Sequence, residues 1–267
     1  MEYNSSDTSV NLNRENFAIS VREISFTAFR DLLFPNRCVI CGSETCLVDD
    51  LQICKGCQGG FLREFDSACS RCGASKPNAL EYYRDRADCP KCRGAKFLFN
   101  RAVSLGDYTG ILRKVVIEMK HQQREALSIQ MGRLLGMHVL KIFGPNAFNR
   151  VVCVPTHFLR RLVRGSSVAE LLAEGVASKL KLPFNANVIG QIRATKKQGT
   201  LTKSERGKNV RDAFQVRRTR HVENQRLLLV DDVMTSGSTV NEVARVLNKA
   251  GVASVVVCTV ARSVNTQ

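Results

Sequence analysis

Two adjacent carboxylates, Asp231 and Asp232, stand just ahead of a run of hydroxyl and glycine residues, Thr235-Ser236-Gly237-Ser238-Thr239. A loop of small residues leading into a helix N-terminus cradles phosphate, because unpaired backbone N–H groups and the helix dipole point at the anion. The carboxylates cannot bind phosphate themselves. As acceptors they suit sugar hydroxyls or a hard metal ion. Sugar beside phosphate is the chemistry this pattern implies. The plain alternative is a strand-to-helix turn whose acidic pair caps the helix, but adjacent carboxylates repel one another and call for a ligand or cation.

The elements that hold these residues can be read on either side. Leu227 to Val230 is an aliphatic run of the kind buried on both faces of a parallel sheet, with the acidic pair expected at the strand's end. Val240, Val243, Ala244, Val246 and Leu247 follow at helical spacing. Upstream, Arg101–Tyr108 reads as an edge strand, Gly110–His121 and Ala126–Phe143 as helices, and Val151–Pro155 as a buried strand. Ala169–Leu180 reads as a helix, Val188–Ile192 as a strand and Ala253–Val260 as the last buried strand. Strands alternating with helices predict an α/β fold with a doubly wound parallel sheet, whose ligands sit at the carboxyl ends of its strands.

A second chemistry lies nearer the N-terminus. Four Cys-x-x-Cys pairs occur, Cys38/Cys41, Cys54/Cys57, Cys69/Cys72 and Cys89/Cys92. Two thiolates at that spacing reach one ion from a tight turn, and two pairs complete the closed tetrahedral shell of structural zinc. Gly42 and Gly73 follow their pairs, as tight knuckles favour. Spacing leaves open whether the pairs combine in sequence or cross-braced. Cys46, Cys153 and Cys258 remain over as reduced loop or core residues. A small N-terminal zinc-ribbon domain is expected, with residues 1–16 as a disordered tail, residues 17–100 as a packing helix plus two ribbons, and residues 101–267 as the α/β domain.

The chain has 267 residues, 40 Lys and Arg against 24 Asp and Glu, and eleven cysteines. Residues 1–100 hold 13 basic and 13 acidic side chains, so the whole +16 belongs to residues 101–267. That field suits a polyanion or a highly phosphorylated ligand. Half of it lies in Arg193–Arg226, with 11 basic and 3 acidic residues. This segment reads as a long mobile loop, a lid over the site, unless it is only a solvated basic face. No 18-residue apolar window exists, so no membrane span is expected. Met1–Glu15 lacks the apolar core of a secretory leader. A cytoplasmic protein follows, in which cysteines bind metal rather than forming disulfides. Aromatic residues make up 6% and Trp is absent, so a base-stacking platform for single strands is poorly supported.

The Leu227–Thr239 stretch resembles the phosphoribosyl pyrophosphate (PRPP) motif of type I phosphoribosyltransferases. Taken with the zinc pairs, Val154-Pro155, the Arg161–Gly165 segment, Thr195, Gln198, Leu201, Glu205-Arg206, Asn209 and Ala213-Phe214, the chain is similar to the ComF (ComFC) family. These are late competence proteins related to amidophosphoribosyltransferases, and the likeness runs from about Cys38 to Arg262. The resemblance implies a double zinc ribbon with sequential pairing, PRPP held with magnesium, and a part in DNA uptake through single-stranded DNA, alongside competence-machinery proteins. It implies Asp231 and Asp232 on the ribose hydroxyls, Thr235–Thr239 on the 5′-phosphate, and Arg160, Arg161 and Arg164 on pyrophosphate. Lys196, Lys197, Lys203, Arg206 and Lys208 would close over the site, and His157 is a candidate proton donor or acceptor. Where family members commonly read Phe-Asn-Gln after the Arg-Gly, this chain has Ser166-Ser167-Val168. The alternative function is a metabolic phosphoribosyltransferase, for nucleotide salvage or amidophosphoribosyl transfer, with no DNA role. No acceptor substrate is singled out by any residue.

Overall fold

The computed structural model describes residues 36–45, 51–62, 68–75, 89, 92, 94–121, 123–156, 166–195 and 203–263. The expected tail, the expected helix over Phe17–Phe34, Cys46, His157, Arg160, Arg161, Arg164, Lys196 and Lys197 lie outside them. Four strands form one parallel sheet: β1 (Arg101–Asp107), β2 (Arg150–Cys153), β5 (Arg226–Met234) and β6 (Ser254–Arg262), in the spatial order β1-β6-β5-β2. β1 is an edge strand, as its sequence predicts. β5 lies inside the sheet, and Leu227 through Val230 are wholly buried. The four-residue aliphatic run is therefore explained by burial on both faces, each such side chain stabilising the fold by about 1.5–3 kcal/mol.

Alternate residues of the strands feed two different cores. Leu228, Val230, Val256 and Cys258 face one layer, made by α2 (Gly110–Glu118), α3 (Glu125–Phe143) and α4 (Val168–Leu180). Leu227, Leu229, Val255 and Val257 face the other, where α6 (Ser238–Lys249) contributes Val240, Val243, Ala244 and Leu247. Helices on both faces make the sheet doubly wound, as expected. α3 and α4 cross very closely, because Gly132 and Gly175 meet at the crossing. A Cβ on either would fall inside the backbone of the opposite helix.

Two expectations are corrected by the backbone. Val188–Ile192 does not extend the parallel sheet: β3 (Ile189–Gln191) pairs antiparallel with β4 (Phe214–Val216) in a separate two-stranded ribbon. The supposed lid, Arg193–Arg226, is largely regular where described. It holds α5 (Lys203–Val210), β4 and a 3₁₀ turn at Thr219–His221. The cause is apolar docking within it: Val210, Ala213, Phe214 and Val222 are buried in the α6-side core. The Arg193 guanidinium adds a clasp, donating to the carbonyls of Asn209 at 2.9 Å and Arg211 at 2.8 Å at the end of α5.

The cysteine knuckles lie against this α/β body, the first of them carrying the short helix α1 (Lys55–Gly59). In the first, Leu51 and Ile53 enter the core formed with α2 and α3, and the Gln52 amide donates to Gln130 Oε1 of α3 at 3.0 Å. The second runs along β1. There Ala102 N–H donates to Arg71 O at 3.0 Å, Arg101 Nε to Ser70 O at 3.3 Å and Ser104 Oγ to Gly73 O at 3.2 Å. An exposed sheet edge is thereby covered, which is one way a fold blunts such an edge.

Candidate functional site

The acidic pair sits inside β5, not beyond it. The strand continues through Asp231 and Asp232 to Met234, because its backbone keeps its register with β6 as far as Met234 opposite Arg262. Both carboxylates turn back on the chain: Asp231 Oδ1 accepts from Asp232 N–H at 2.9 Å, and Asp232 Oδ1 from Val233 N–H at 2.8 Å. The Asp231 carboxyl is sunk among protein atoms although part of the residue touches solvent. That burial, and then the Asp232 charge beside it, push its pKa well above the usual carboxylate range.

Lys120, which follows α2, meets this pair with Nζ 3.1 Å from Asp232 Oδ2. Burial opposes its charge, but Asp232, Tyr108 and Asp231 outweigh that and raise its pKa. Sequence reasoning missed Lys120. It sits in an amphipathic segment with many solvated Lys and Arg neighbours, and only tertiary placement separates it from them. Ionising both carboxylates beside one half-exposed cation calls for further positive charge, and an all-oxygen donor set of this kind fits a hard divalent ion such as magnesium.

The chain then turns sharply into α6. Gly237 is the N-cap, with φ +80°, and no side chain caps the helix. The conformation favours glycine, and space requires it too, since a Cβ there would lie 2.9 Å from Met234 Cε and 3.2 Å from Phe97 Cε1. The Thr235–Thr239 run is thus a short loop plus a helical first turn, since Ser238 and Thr239 already belong to α6. Ser236 and Ser238 hydroxyls lie 2.8 Å apart. Helix start, glycine cap and hydroxyls together make an anion cradle beside the acidic pair.

Under the loop lies a residue the sequence did not point to. Arg262, at the end of β6, is 2% exposed. Its Nη1 donates to Met234 O at 2.7 Å and to Thr235 O, and its Nε donates to Cys72 O at 3.1 Å. Arg160, Arg161 and Arg164, expected on the pyrophosphate, are outside the described residues, but the departure at Ser166-Ser167-Val168 has a local role. Ser167 caps α4: its Oγ accepts from Glu170 N–H at 3.2 Å, and Glu170 Oε2 accepts from Ser167 N–H at 3.3 Å. Lys203 opens α5, within the basic segment.

The eight cysteines gather as two tetrads, Cys38/Cys41/Cys54/Cys57 and Cys69/Cys72/Cys89/Cys92, so the pairs combine in sequence. In each tetrad the four Sγ atoms lie within 4.8 Å of one another, and the Cys41–Cys54, Cys69–Cys92 and Cys72–Cys89 separations are 3.8 Å. Four sulfurs at about 2.3 Å around a tetrahedral zinc stand about 3.8 Å apart, so the donor set fits. Gly42 and Gly73 have φ +76° and +69°, as the knuckles demand. Packed this closely, the thiols shift one another's proton affinity. A hydrogen bond from Ser43 lowers Cys41 to about 6, and one from Cys72 lowers Cys69 to about 4. Burial raises Cys57 and raises Cys92 to about 12. Cys153 and Cys258 are buried core residues, and no disulfide joins the described cysteines.

A parallel sheet with an acid pair and an anion cradle at its carboxyl end, preceded by two cysteine tetrads, defines a phosphoribosyltransferase-type domain carrying a double zinc ribbon. The phosphoribosyl transferase domain family matches residues 166–266, and the double zinc ribbon domain family matches residues 29–93. The DNA utilization protein YhgH of Salmonella typhimurium is 30% identical over 235 residues, covering 87% of this chain and 99% of the relative. Competence protein F of Haemophilus influenzae is 28% identical over 239 residues, 86% of this chain and 98% of the relative. The chain therefore belongs to the ComF family, with these proteins. Among solved structures, the glutamine PRPP amidotransferase of B. subtilis is 19% identical over 51% of this chain and 26% of that one, with a TM-score of 0.36.

Proposed function

We propose that the chain binds PRPP with magnesium at the Asp231 site and serves DNA uptake or use by handling single-stranded DNA. The observation that carries the first half is the juxtaposition of an under-compensated acidic pair with an uncapped helix N-terminus one short loop away. Asp231 and Asp232 take the ribose hydroxyls, directly or through magnesium, which when bound supplies charge that neutralises the pair and the pyrophosphate. The loop and first turn of α6, Thr235–Thr239, take the 5′-phosphate through N–H groups and hydroxyls. Lys120, with Nζ 3.1 Å from Asp232 Oδ2, would stand beside the metal and could donate to an anionic oxygen of the ligand. Arg160, Arg161 and Arg164 draw the pyrophosphate, and Lys197 and Lys203 add to the field around it. Residues 1–16, 17–100 and 101–267 act as tail, helix-plus-ribbon unit and catalytic-type domain. The eight cysteines hold two structural zinc ions.

The DNA half rests on the names of the relatives and on the +16 charge confined to residues 101–267. Binding is electrostatic, with competence-machinery proteins as further partners, in the cytoplasm. No described helix is long and apolar enough to cross a membrane. The test is a calorimetric titration with PRPP and magnesium, run with single-stranded DNA as competitor at several salt concentrations. Saturable magnesium-dependent heat and a steep salt dependence of DNA affinity are expected. A flat salt plot removes the DNA role and leaves a metabolic phosphoribosyltransferase; absent PRPP heat removes the sugar-phosphate site.

A further inference from the structure

Arg262 is a fully buried guanidinium with no carboxylate partner among the described residues, and its hydrogen bonds all go to backbone carbonyls from two distant parts of the chain. Such a charge is costly to bury and is rarely found unpaired. Two of its three acceptors are the carbonyls of Met234 and Thr235, where β5 enters the phosphate loop. The third belongs to Cys72, a member of the second tetrad. A second path links the same places: the Arg71 guanidinium lies 5.7 Å over the Phe97 ring, and Phe97 closes against Gly237.

Resting on the sugar-phosphate reading above, we propose that Arg262 is a positioning residue of that site. It draws the Met234 and Thr235 carbonyls onto itself so that the loop offers N–H groups to an anion, and it ties this geometry to the second cysteine tetrad through Cys72. A carbonyl turned into the cradle would repel phosphate, whereas a carbonyl held by the guanidinium cannot turn. The buried positive charge, left without a carboxylate, also favours an anion on the loop above it. Because one residue serves both places, ligand on the loop and metal in the second tetrad stabilise each other, and that coupling is reciprocal. Among the described residues no hydrogen bond ties the first tetrad to this loop: it meets the body through apolar side chains, Cys38, Leu51, Ile53 and Phe61 among them, and through the Gln52–Gln130 bond.

The experiment uses the zinc-loaded full chain with ribose 5-phosphate as probe. In the wild type, saturating probe should slow chelator extraction of one of the two zinc ions by about tenfold and leave the other unchanged, in the usual range of couplings. Arg262→Met should weaken probe binding by about tenfold, speed release of that same ion and abolish its protection. Arg262→Lys should fall between, since one ammonium cannot bridge three carbonyls as a planar fork does. If the wild type binds neither ribose 5-phosphate nor PRPP, the sugar-phosphate reading falls and takes this one with it. If it binds, two results overturn this inference alone: a folded Arg262→Met with affinity within twofold of wild type, or zinc release indifferent to the probe. The wild-type arm keeps the test decisive should Arg262→Met fail to fold.

Discussion

The two cysteine tetrads share a ligand set and knuckle geometry, but they are built into the molecule differently. The first has Cys41 exposed and Cys54 and Cys57 partly so, and it leans on α3 through apolar side chains and one glutamine. The second has all four cysteines buried, lies along the edge of β1 and shares the buried Arg262 with the phosphate loop. On the proposal above, one ligand set is a peripheral staple in one place and a foundation of the site in the other.

The largest effect that would test this contrast is loss of one zinc ligand from each tetrad. Cys72→Ser should cost one zinc and lower the melting temperature by about 10 °C, since structural zinc contributes folding free energy directly. It should also weaken ribose 5-phosphate binding. Cys41→Ser should cost one zinc as well but leave ligand affinity within twofold. Metal analysis, melting and calorimetry read these together, and equal effects on the ligand would erase the distinction between the tetrads.

A smaller effect distinguishes the knuckle glycines. Gly42→Ala meets open space and suffers only its φ of +76°, about 1 kcal/mol. Gly73→Ala has φ +69° and also brings a Cβ to 3.1 Å from Ala102 O of β1, so it should cost about 2 kcal/mol or more, read by denaturant melts. Removing the first tetrad's polar tether by Gln130→Leu should cost about 1 kcal/mol, because it leaves the Gln52 amide without that acceptor.

The smallest predicted shift concerns the site itself and depends on pH. Burial holds the Asp231 pKa above its unfolded value, so ionised Asp231 destabilises the fold. The penalty begins as pH rises through the unfolded pKa and is complete above the folded one. Asp231→Asn should therefore raise the melting temperature of the ligand-free chain by about 2–4 °C at neutral pH, about one kcal/mol in a chain of this size. At pH 3 it should leave melting unchanged.

The parts legible from sequence were those written in short runs. Leu227–Val230 announced a doubly buried strand, and the Cys-x-x-Cys pairs announced two cysteine tetrads. What stayed hidden depends on residues brought together from afar. Arg262 lies 27 positions beyond Thr235 and is buried, against the usual place of arginine. Lys120 looks like any solvated lysine until α2 is packed on the sheet. The end of β5 was misjudged because apolar composition stops at Val230, while strand length is set by backbone pairing with β6, which continues to Met234. Charge dominates Arg193–Arg226 and suggests a mobile loop, yet four apolar residues dock its described part from α5 onward.

That Asp231 and Asp232 hold a magnesium–sugar-phosphate ligand is the proposal on which the rest depends. Its most direct test is PRPP calorimetry with and without magnesium on the wild type and on the Asp231→Asn/Asp232→Asn double variant. Magnesium-dependent binding in the wild type and none in the double variant is the predicted result. Equal binding by the two proteins, or no binding by the wild type, would contradict it.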